Sequence, residues 1–280
     1  MSNIKILLDG FTFLEGPRWR DGKLWVSDMY DQRVLTVDSA GHSETVCAVP
    51  NQPSGLGWLP DGRLLVVSMV DRKVLRLEPE GLVEHADLSG IATFHCNDMV
   101  VDEQGRAYVG NFGSDLSVGG MPQPAALMLV TPDGECRVVA RNLLFPNGSV
   151  ITPDGKTLIV GESFGARLTA FDIEPDGGLS NQRPWAQLSG AIPDGCCLDA
   201  EGAIWVASPP TCEVLRVREG GEVTHRVPTE QQAIACMLGG DDRRTLFVLT
   251  APSVEEEECV KLRSARIETL EVEAPGAGLP

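Results

Sequence analysis

Long apolar runs and an excess of positive charge are both missing from this sequence. No stretch of the 280 residues approaches the length needed to span a bilayer, and the first residues carry no basic region followed by an apolar core. With 23 lysines and arginines against 40 aspartates and glutamates, the formal net charge is −17. We therefore expect a cytoplasmic protein that binds neither nucleic acid nor membranes.

Cysteine is present but has no recognisable spacing. The eight cysteines include the adjacent pair Cys196 and Cys197, yet none are spaced as Cys-x-x-Cys. In a reducing compartment, scattered cysteines of this kind are expected to be free thiols rather than zinc ligands or disulfides.

One phrase returns six times along the chain: a small or acidic residue with glycine, an apolar stretch, an Asp-Gly or related turn, and a β-rich run. The turns are roughly 40 to 50 residues apart, which is the period of a propeller blade. Asp-Gly between alternating runs predicts hairpins, so each copy should form four antiparallel strands, named A to D from the centre outward. The copies start at Glu15, Ser54, Asn97, Asn147, Asp194 and, in degraded form, Ala235.

These repeats predict an all-β fold, a single six-bladed β-propeller over residues 1–280 with a frayed tail at residues 270–280. The last copy lacks an obvious outer strand, whereas Ile4–Leu8 precedes Glu15 as a D strand precedes every other copy. The N-terminal strand should therefore complete the last blade and leave only short protected edges. We interpret Glu255–Glu258 as a solvated loop and expect no amphipathic helix.

Residues at the same position of each copy should converge on the axis of the central channel. The first residue of four of the six copies carries a carboxylate or amide group, namely Glu15, Asn97, Asn147 and Asp194. Asn and Asp are also common at strand entries because of their turn chemistry, but two carboxylates and two amides at one dry level would repel or stay unsatisfied. A bound cation removes this conflict, and oxygen donors favour a hard ion. We expect one divalent metal ion, Ca²⁺ first, with Mn²⁺, Mg²⁺, Zn²⁺ or Fe²⁺ as alternatives.

The connections between B and C strands should surround this metal site. The third connection, residues 111–124, is longer than the others and is interpreted as a lid or substrate-recognition element, with a plain insertion as the alternative. His95 lies two residues before Asn97, and we interpret it either as a rim residue or as an ordinary surface or core histidine. Phe112 and Met237 are among the apolar or soft side chains expected at the mouth.

Four motifs stand in order along nearly the whole chain, namely Glu15-Gly16-Pro17-Arg18-Trp19, Cys96-Asn97-Asp98, Phe145-Pro146-Asn147-Gly148 and Pro193-Asp194-Gly195. With them the sequence resembles the regucalcin/gluconolactonase family, the senescence-marker-protein group of six-bladed propellers. The resemblance implies a divalent metal ion held by Glu15, Asn147 and Asp194, with Asn97 contacting the substrate, and it implies lactone hydrolysis, which many members perform.

The sequence departs from the sugar-lactonase pattern at one position. Those members commonly carry Arg two residues before the substrate-contacting Asn, where this chain has His95. Histidine offers fewer donors to sugar hydroxyls than a guanidinium does. A lactone or cyclic ester less polar than gluconolactone is therefore the expected substrate.

The implied reaction is attack of water on an ester carbonyl polarised by the metal ion, with Asp194 or nearby Asp98 accepting a proton. Two other functions stay open: hydrolysis of another electrophile, such as a phosphotriester, at the same site, and a non-catalytic Ca²⁺-binding propeller. The expected partner is a small-molecule lactone, and the expected state is a monomer or small homo-oligomer.

Overall fold

Six four-stranded antiparallel sheets make up the computed structural model, which describes residues 4–115 and 121–277. Each sheet is one blade, and its strands follow one another outward from the channel. The six-bladed β-propeller expected from the repeats is confirmed.

The strands occur in the following order. Strand β1 (Lys5–Phe11) comes first and belongs to the last blade. The first blade contains β2 (Leu14–Arg20), β3 (Lys23–Asp28), β4 (Arg33–Val37) and β5 (Ser43–Ala48). The second contains β6 (Pro53–Trp58), β7 (Leu64–Ser68), β8 (Lys73–Glu78) and β9 (Gly81–Asp87). The third contains β10 (Cys96–Val101), β11 (Ala107–Asn111), β12 (Ala125–Val130) and β13 (Cys136–Leu143).

The second half of the chain repeats this arrangement. The fourth blade contains β14 (Pro146–Ile151), β15 (Thr157–Glu162), β16 (Arg167–Ile173) and β17 (Leu179–Gln187). The fifth contains β18 (Cys196–Leu198), β19 (Ile204–Ser208), β20 (Glu213–Val217) and β21 (Val223–Pro228). The sixth contains β22 (Gln232–Gly239), β23 (Thr245–Ala251), β24 (Ala265–Glu271) and β1.

The middle strands of the blades form the core between neighbouring sheets. Every residue of β7 and of β12 is buried, because each sheet is covered on both faces by its neighbours. Burial on both faces explains why these strands read as continuous apolar runs rather than as alternating ones. The A-to-B turns are closed by glycines such as Gly62 and Gly155, with φ of 89° and 67°, which a residue with a β-carbon rarely adopts.

Closure of the ring by the N-terminal strand is confirmed. Strand β1 pairs antiparallel with β24, with Lys5 opposite Thr269 and Phe11 opposite Ala265. Phe11 is buried, so this strand contributes apolar packing as well as backbone hydrogen bonds.

Two expectations about the C-terminal part of the chain are wrong. Residues Glu256–Leu262 form a helix, α1, where Glu255–Glu258 was expected to be a loop. Three glutamates in its first turn and Lys261 in its last turn suit the helix dipole, and Cys259 anchors it in the core. The acidic run is therefore a helix start, which a charge count alone does not distinguish from a solvated loop.

The tail is ordered up to the last described residue. Strand β24 continues to Glu271, Ala274 is buried, and Ala277 N–H donates to the Leu198 carbonyl at 2.9 Å. The tail therefore packs on the fifth blade instead of fraying over residues 270–277. Among residues 4–115 and 121–277, no helix is long and apolar enough to cross a membrane.

Candidate metal site at the channel mouth

The starts of the A strands meet at one end of the channel, here called the mouth. Glu15 lies in β2, Asn97 in β10 and Asn147 in β14, and their exposed fractions are 5%, 3% and 4%. Asp194 lies two residues before β18 and stays partly exposed. We call these four residues the ring.

A glycine directly after the ring residue lets the inner strands of neighbouring blades approach each other. A β-carbon on Gly148 would lie 2.4 Å from the Asp194 carbonyl oxygen, and one on Gly195 would lie 2.3 Å from the Ala235 β-carbon. Both separations are shorter than real contacts, so these glycines are required for the ring residues to converge. The third blade has Asp98 at this position instead.

A chain of hydrogen bonds orients the two amides of the ring. Ser54 Oγ donates to Asn97 Oδ1 at 3.3 Å, and Asn97 Nδ2 donates to Asn147 Oδ1 at 2.9 Å. Asn147 Nδ2 donates in turn to Ser163 Oγ at 3.1 Å. The amide rotamers are thus fixed by neighbours on three different blades, and each amide oxygen keeps a second lone pair.

The two carboxylates of the ring are poorly compensated. Neither Glu15 nor Asp194 forms an ion pair within the described ranges, and Asp194 Oδ1 is buried without a hydrogen-bond partner there. Burial raises the pKa of Glu15 well above its usual range, and the charges of Asp194 and Asp98 add to the shift. Burial also raises the pKa of Asp194 to about 7, although a hydrogen bond from Asn147 opposes the shift.

These residues fit a divalent cation. An unpartnered buried carboxylate oxygen is costly, and a cation beside it would relieve the cost as well as the repulsion between Glu15 and Asp194. In the part of the chain described, no group of three or more His, Cys, Asp and Glu side chains is arranged to hold a metal ion. Because the ring has only two carboxylates, the remaining protein donors must be amide oxygens, which suits a hard ion.

Asp98 is close to the ring but is already occupied. Arg18 Nη2 donates to Asp98 Oδ1 at 3.0 Å, and the same guanidinium donates to the Met99 carbonyl. Both Arg18 and Asp98 are buried, so the pair is desolvated. Asp98 therefore enters the site as one half of an ion pair, not as a free carboxylate.

Two of the expected substrate-binding residues lie at the mouth. His95 precedes β10, and its carbonyl accepts a hydrogen bond from the Phe112 N–H at 3.0 Å. The two rings lie edge to face with centroids 6.4 Å apart, and burial lowers the pKa of His95. Of the long connection 111–124, residues 116–120 lie outside the described residues, so the lid interpretation stays a prediction.

Met237 does not lie at the mouth. It lines a cavity of about 40 Å³ at the opposite end of the channel, together with Arg18, Cys196, Cys197 and Arg243. The reason is strand geometry: Met237 is two residues farther along its A strand than Ala235, which is level with the ring. The structure therefore places Met237 away from the mouth, where the sequence analysis expected it.

Ser163 was missed by the sequence reasoning, although its surroundings carry a visible signal. The segment Gly161-Glu162-Ser163-Phe164-Gly165 has the letters Gly-x-Ser-x-Gly, which in other folds mark a nucleophilic serine on a strand-to-helix turn. Here Ser163 begins a short 3₁₀ turn, and its hydroxyl donates to the Pro193 carbonyl at 2.7 Å. Its contacts hold Asn147 and the segment before Asp194 in place, and no histidine is among its hydrogen-bond partners in the described residues.

A six-bladed propeller with carboxylate and amide side chains at the mouth of its channel defines a class of proteins, and sequence comparison identifies the family within it. The sequence profile of the family described as "SMP-30/Gluconolactonase/LRE-like region" matches residues 13–252, so the chain belongs to that family. All four ring residues fall within the matched segment.

The similar proteins include both regucalcins and a lactonase. The chain is 28% identical to regucalcin of Danio rerio over 253 residues, which cover 85% of this chain and 82% of the relative. It is 24% identical to 6-deoxy-6-sulfogluconolactonase of Pseudomonas putida over 249 residues, covering 85% and 82%. Among solved structures, a calcium-binding protein, regucalcin, from Agrobacterium tumefaciens superimposes with a TM-score of 0.83 at 20% identity, covering 100% of this chain and 97% of the other.

Proposed function

We propose that this protein is a divalent-metal-dependent hydrolase that opens a lactone. The observation that carries the proposal is the pair of carboxylates at the mouth of the channel, Glu15 and Asp194, which form no ion pair among the described residues. Family membership and a relative named as a lactonase support the same reaction class. The similar solved structure that is named a calcium-binding protein, regucalcin, supports a divalent ion, with Ca²⁺ as the first candidate.

Glu15, Asn147 and Asp194 would hold the ion, with Asn97 binding it directly or through water. The hydrogen bond from Asn97 Nδ2 to Asn147 Oδ1 keeps these two amides side by side, so Asn97 can also contact a substrate beside the ion. A divalent ion at this position would supply Lewis acidity toward the ester carbonyl.

The remaining chemistry belongs to the chain itself. A water molecule attacks the carbonyl carbon, Asp194 takes one proton from that water, and the ester bond to the ring oxygen breaks. Asp194 then returns the proton to the leaving oxygen, so that the product is a hydroxy acid.

Asp194 is preferred to Asp98 as this base. Asp98 Oδ1 accepts hydrogen bonds from Arg18 and from the Met99 N–H at 2.8 Å, which hold the carboxylate in place. Asp194 is partly exposed at the mouth, and its Oδ1 has no hydrogen-bond partner among the residues that the structure describes. Asp98 is assigned to neutralising and positioning Arg18.

A lactone panel tests the function. Metal-free protein is supplied in turn with Ca²⁺, Mn²⁺, Mg²⁺, Zn²⁺ and Fe²⁺, and hydrolysis of a sugar lactone, an unsubstituted lactone and a phosphotriester is followed. We expect lactone hydrolysis that depends on the added ion. Turnover of the phosphotriester alone would favour the second hydrolase, and tight Ca²⁺ binding without any turnover would favour a calcium-binding propeller.

A further inference from the structure

Exposed apolar side chains are concentrated on the mouth face, which consists of the B-to-C and D-to-A connections. Of the nine large apolar residues exposed in the described part of the chain, seven lie in these connections. The other two, Ile6 and Val83, lie in outer strands. The seven are Val70, Met121, Phe164, Ile192, Val254, Val260 and Leu262.

Five aromatic rings run along one side of this face, and we call them the aromatic row. The Phe94 and His95 rings stack with centroids 4.1 Å apart and an interplanar angle of 17°. Phe112 lies 6.4 Å from His95 and 4.4 Å from Phe145, and Phe145 lies 5.4 Å from Phe164. The row thus crosses from the third blade to the fourth.

The aromatic row borders the ring residues. His95 is two residues before Asn97, and Phe145 is two residues before Asn147. Phe164 follows Ser163, whose hydroxyl accepts the hydrogen bond from Asn147 Nδ2. A molecule held against Asn97 and Asn147 would therefore have the row beside it on the side of the third and fourth blades.

Phe145 supports the row from beneath. It is buried below Phe112 and Phe164, and its φ of 58° lies in the left-handed region that a bulky residue rarely adopts. Residues held in such conformations cluster at binding and active sites, where the surrounding structure over-determines them. Phe94, His95 and Phe112 are partly exposed and Phe164 is 38% exposed, so ring surface remains accessible to a ligand.

We infer that the aromatic row is the specificity surface of the site and that it binds a flat apolar substituent, such as a phenyl group, on the lactone. This inference rests on the proposed function and specifies its substrate class. A phenyl group can pack against these rings in offset or edge-to-face geometry and removes apolar surface from water. A hydroxylated ring gains less, because four of the five rings are phenylalanine side chains, which donate no hydrogen bond to a hydroxyl group.

The test compares two substrates that differ only in the phenyl group, δ-phenyl-δ-valerolactone and δ-valerolactone. In the metal-loaded wild-type protein we expect the phenyl group to raise kcat/KM by roughly 10- to 100-fold. Phe164→Ala should remove about tenfold of that advantage and leave kcat/KM for δ-valerolactone within about twofold. Val254→Ala, on the sixth blade of the same face, is the matched control and should leave the advantage intact.

The outcomes separate the two proposals. If δ-valerolactone is hydrolysed but the phenyl group gives no advantage, the inference is overturned and the proposed function stands. The same conclusion follows if Val254→Ala removes as much of the phenyl advantage as Phe164→Ala does. If neither lactone is hydrolysed, the proposed function fails, and calorimetric binding of the matching phenyl-substituted and unsubstituted lactams still decides the inference. Tighter binding of the phenyl lactam that is lost in Phe164→Ala supports the row, and equal binding overturns it.

Discussion

Asp194 is the residue on which metal binding and proton transfer both depend in the proposed reaction. Asp194→Ala removes a charged ligand and the base together, so we expect kcat/KM for lactone hydrolysis to fall by about 1,000-fold or more and metal affinity to weaken. The measurement is steady-state kinetics at saturating metal, paired with calorimetric titration of the ion. Full turnover in this variant would show that the site is wrongly assigned.

Asp98→Asn changes a second aspartate beside the ring and contrasts with Asp194→Ala. This change leaves the buried Arg18 guanidinium without its charged partner, and breaking a buried pair typically costs about 3–5 kcal/mol of stability. Its metal affinity should nevertheless stay close to that of the wild type. If the variant lost both metal binding and turnover, Asp98 would instead belong among the ligands.

The pH dependence of stability depends on the protonation of the two ring carboxylates, Glu15 and Asp194. A carboxyl group whose pKa is raised in the folded state stabilises the protein fully below its unfolded pKa, about 3.9 for Asp, and this contribution is lost as the pH rises through the folded pKa. For Asp194 that pKa is about 7, and for Glu15 it is also raised by burial. The metal-free protein should therefore lose thermal stability as the pH rises toward 7 and beyond.

A bound cation should reverse this trend, because it favours the deprotonated carboxylates. We expect the difference in Tm between metal-saturated and chelator-treated protein to grow between about pH 5 and pH 8. Thermal denaturation across this range checks the prediction. A difference that stays constant or shrinks with pH would contradict it.

His95 should influence which lactone is accepted without holding the ion. His95→Arg adds donors beside Asn97, so we expect the preference between a sugar lactone and an apolar lactone to shift toward the sugar by about 1–3 kcal/mol. The ratio of the two kcat/KM values gives the shift, with metal affinity as the control. An unchanged ratio would mean that His95 does not face the substrate.

At the scale of elements, the fold depends on a strand contributed from the other end of the chain. Removing residues 1–10 takes away most of β1 and exposes the edge of β24. We expect a loss of about 3 kcal/mol or more, which corresponds to a fall in Tm of roughly 6–12 °C. Thermal denaturation of the truncated protein is the measurement, and an unchanged Tm would refute the structural role of this closure.

The strands were predictable from the sequence because turn chemistry and alternation are local and repeat six times. Helix α1 and the ordered tail were not, since each occurs once and depends on contacts far along the chain. Cys259 anchors the helix in the core, and the tail bonds to Leu198 on the fifth blade. Neither contact leaves a trace in the local pattern.

For the whole molecule, the repeat predicted the ring but not its surroundings. Equivalent positions of a closed propeller must converge, so aligning the copies was enough to bring Glu15, Asn97, Asn147 and Asp194 together. The pairing of Arg18 with Asp98 spans 80 residues, and the aromatic row is assembled from connections that do not repeat. Such features require the closed ring to be known before side chains can be assigned neighbours.

The central claim is that one divalent ion at the ring enables lactone hydrolysis. The most direct test is to titrate metal-free protein with Ca²⁺, or with the most effective ion of the panel, while the rate of lactone hydrolysis is followed. At a protein concentration above the dissociation constant, activity should rise from near zero and saturate at one ion per chain, with no such rise in Asp194→Ala. Full activity in the metal-free protein, or a rise that Asp194→Ala reproduces, would contradict the claim.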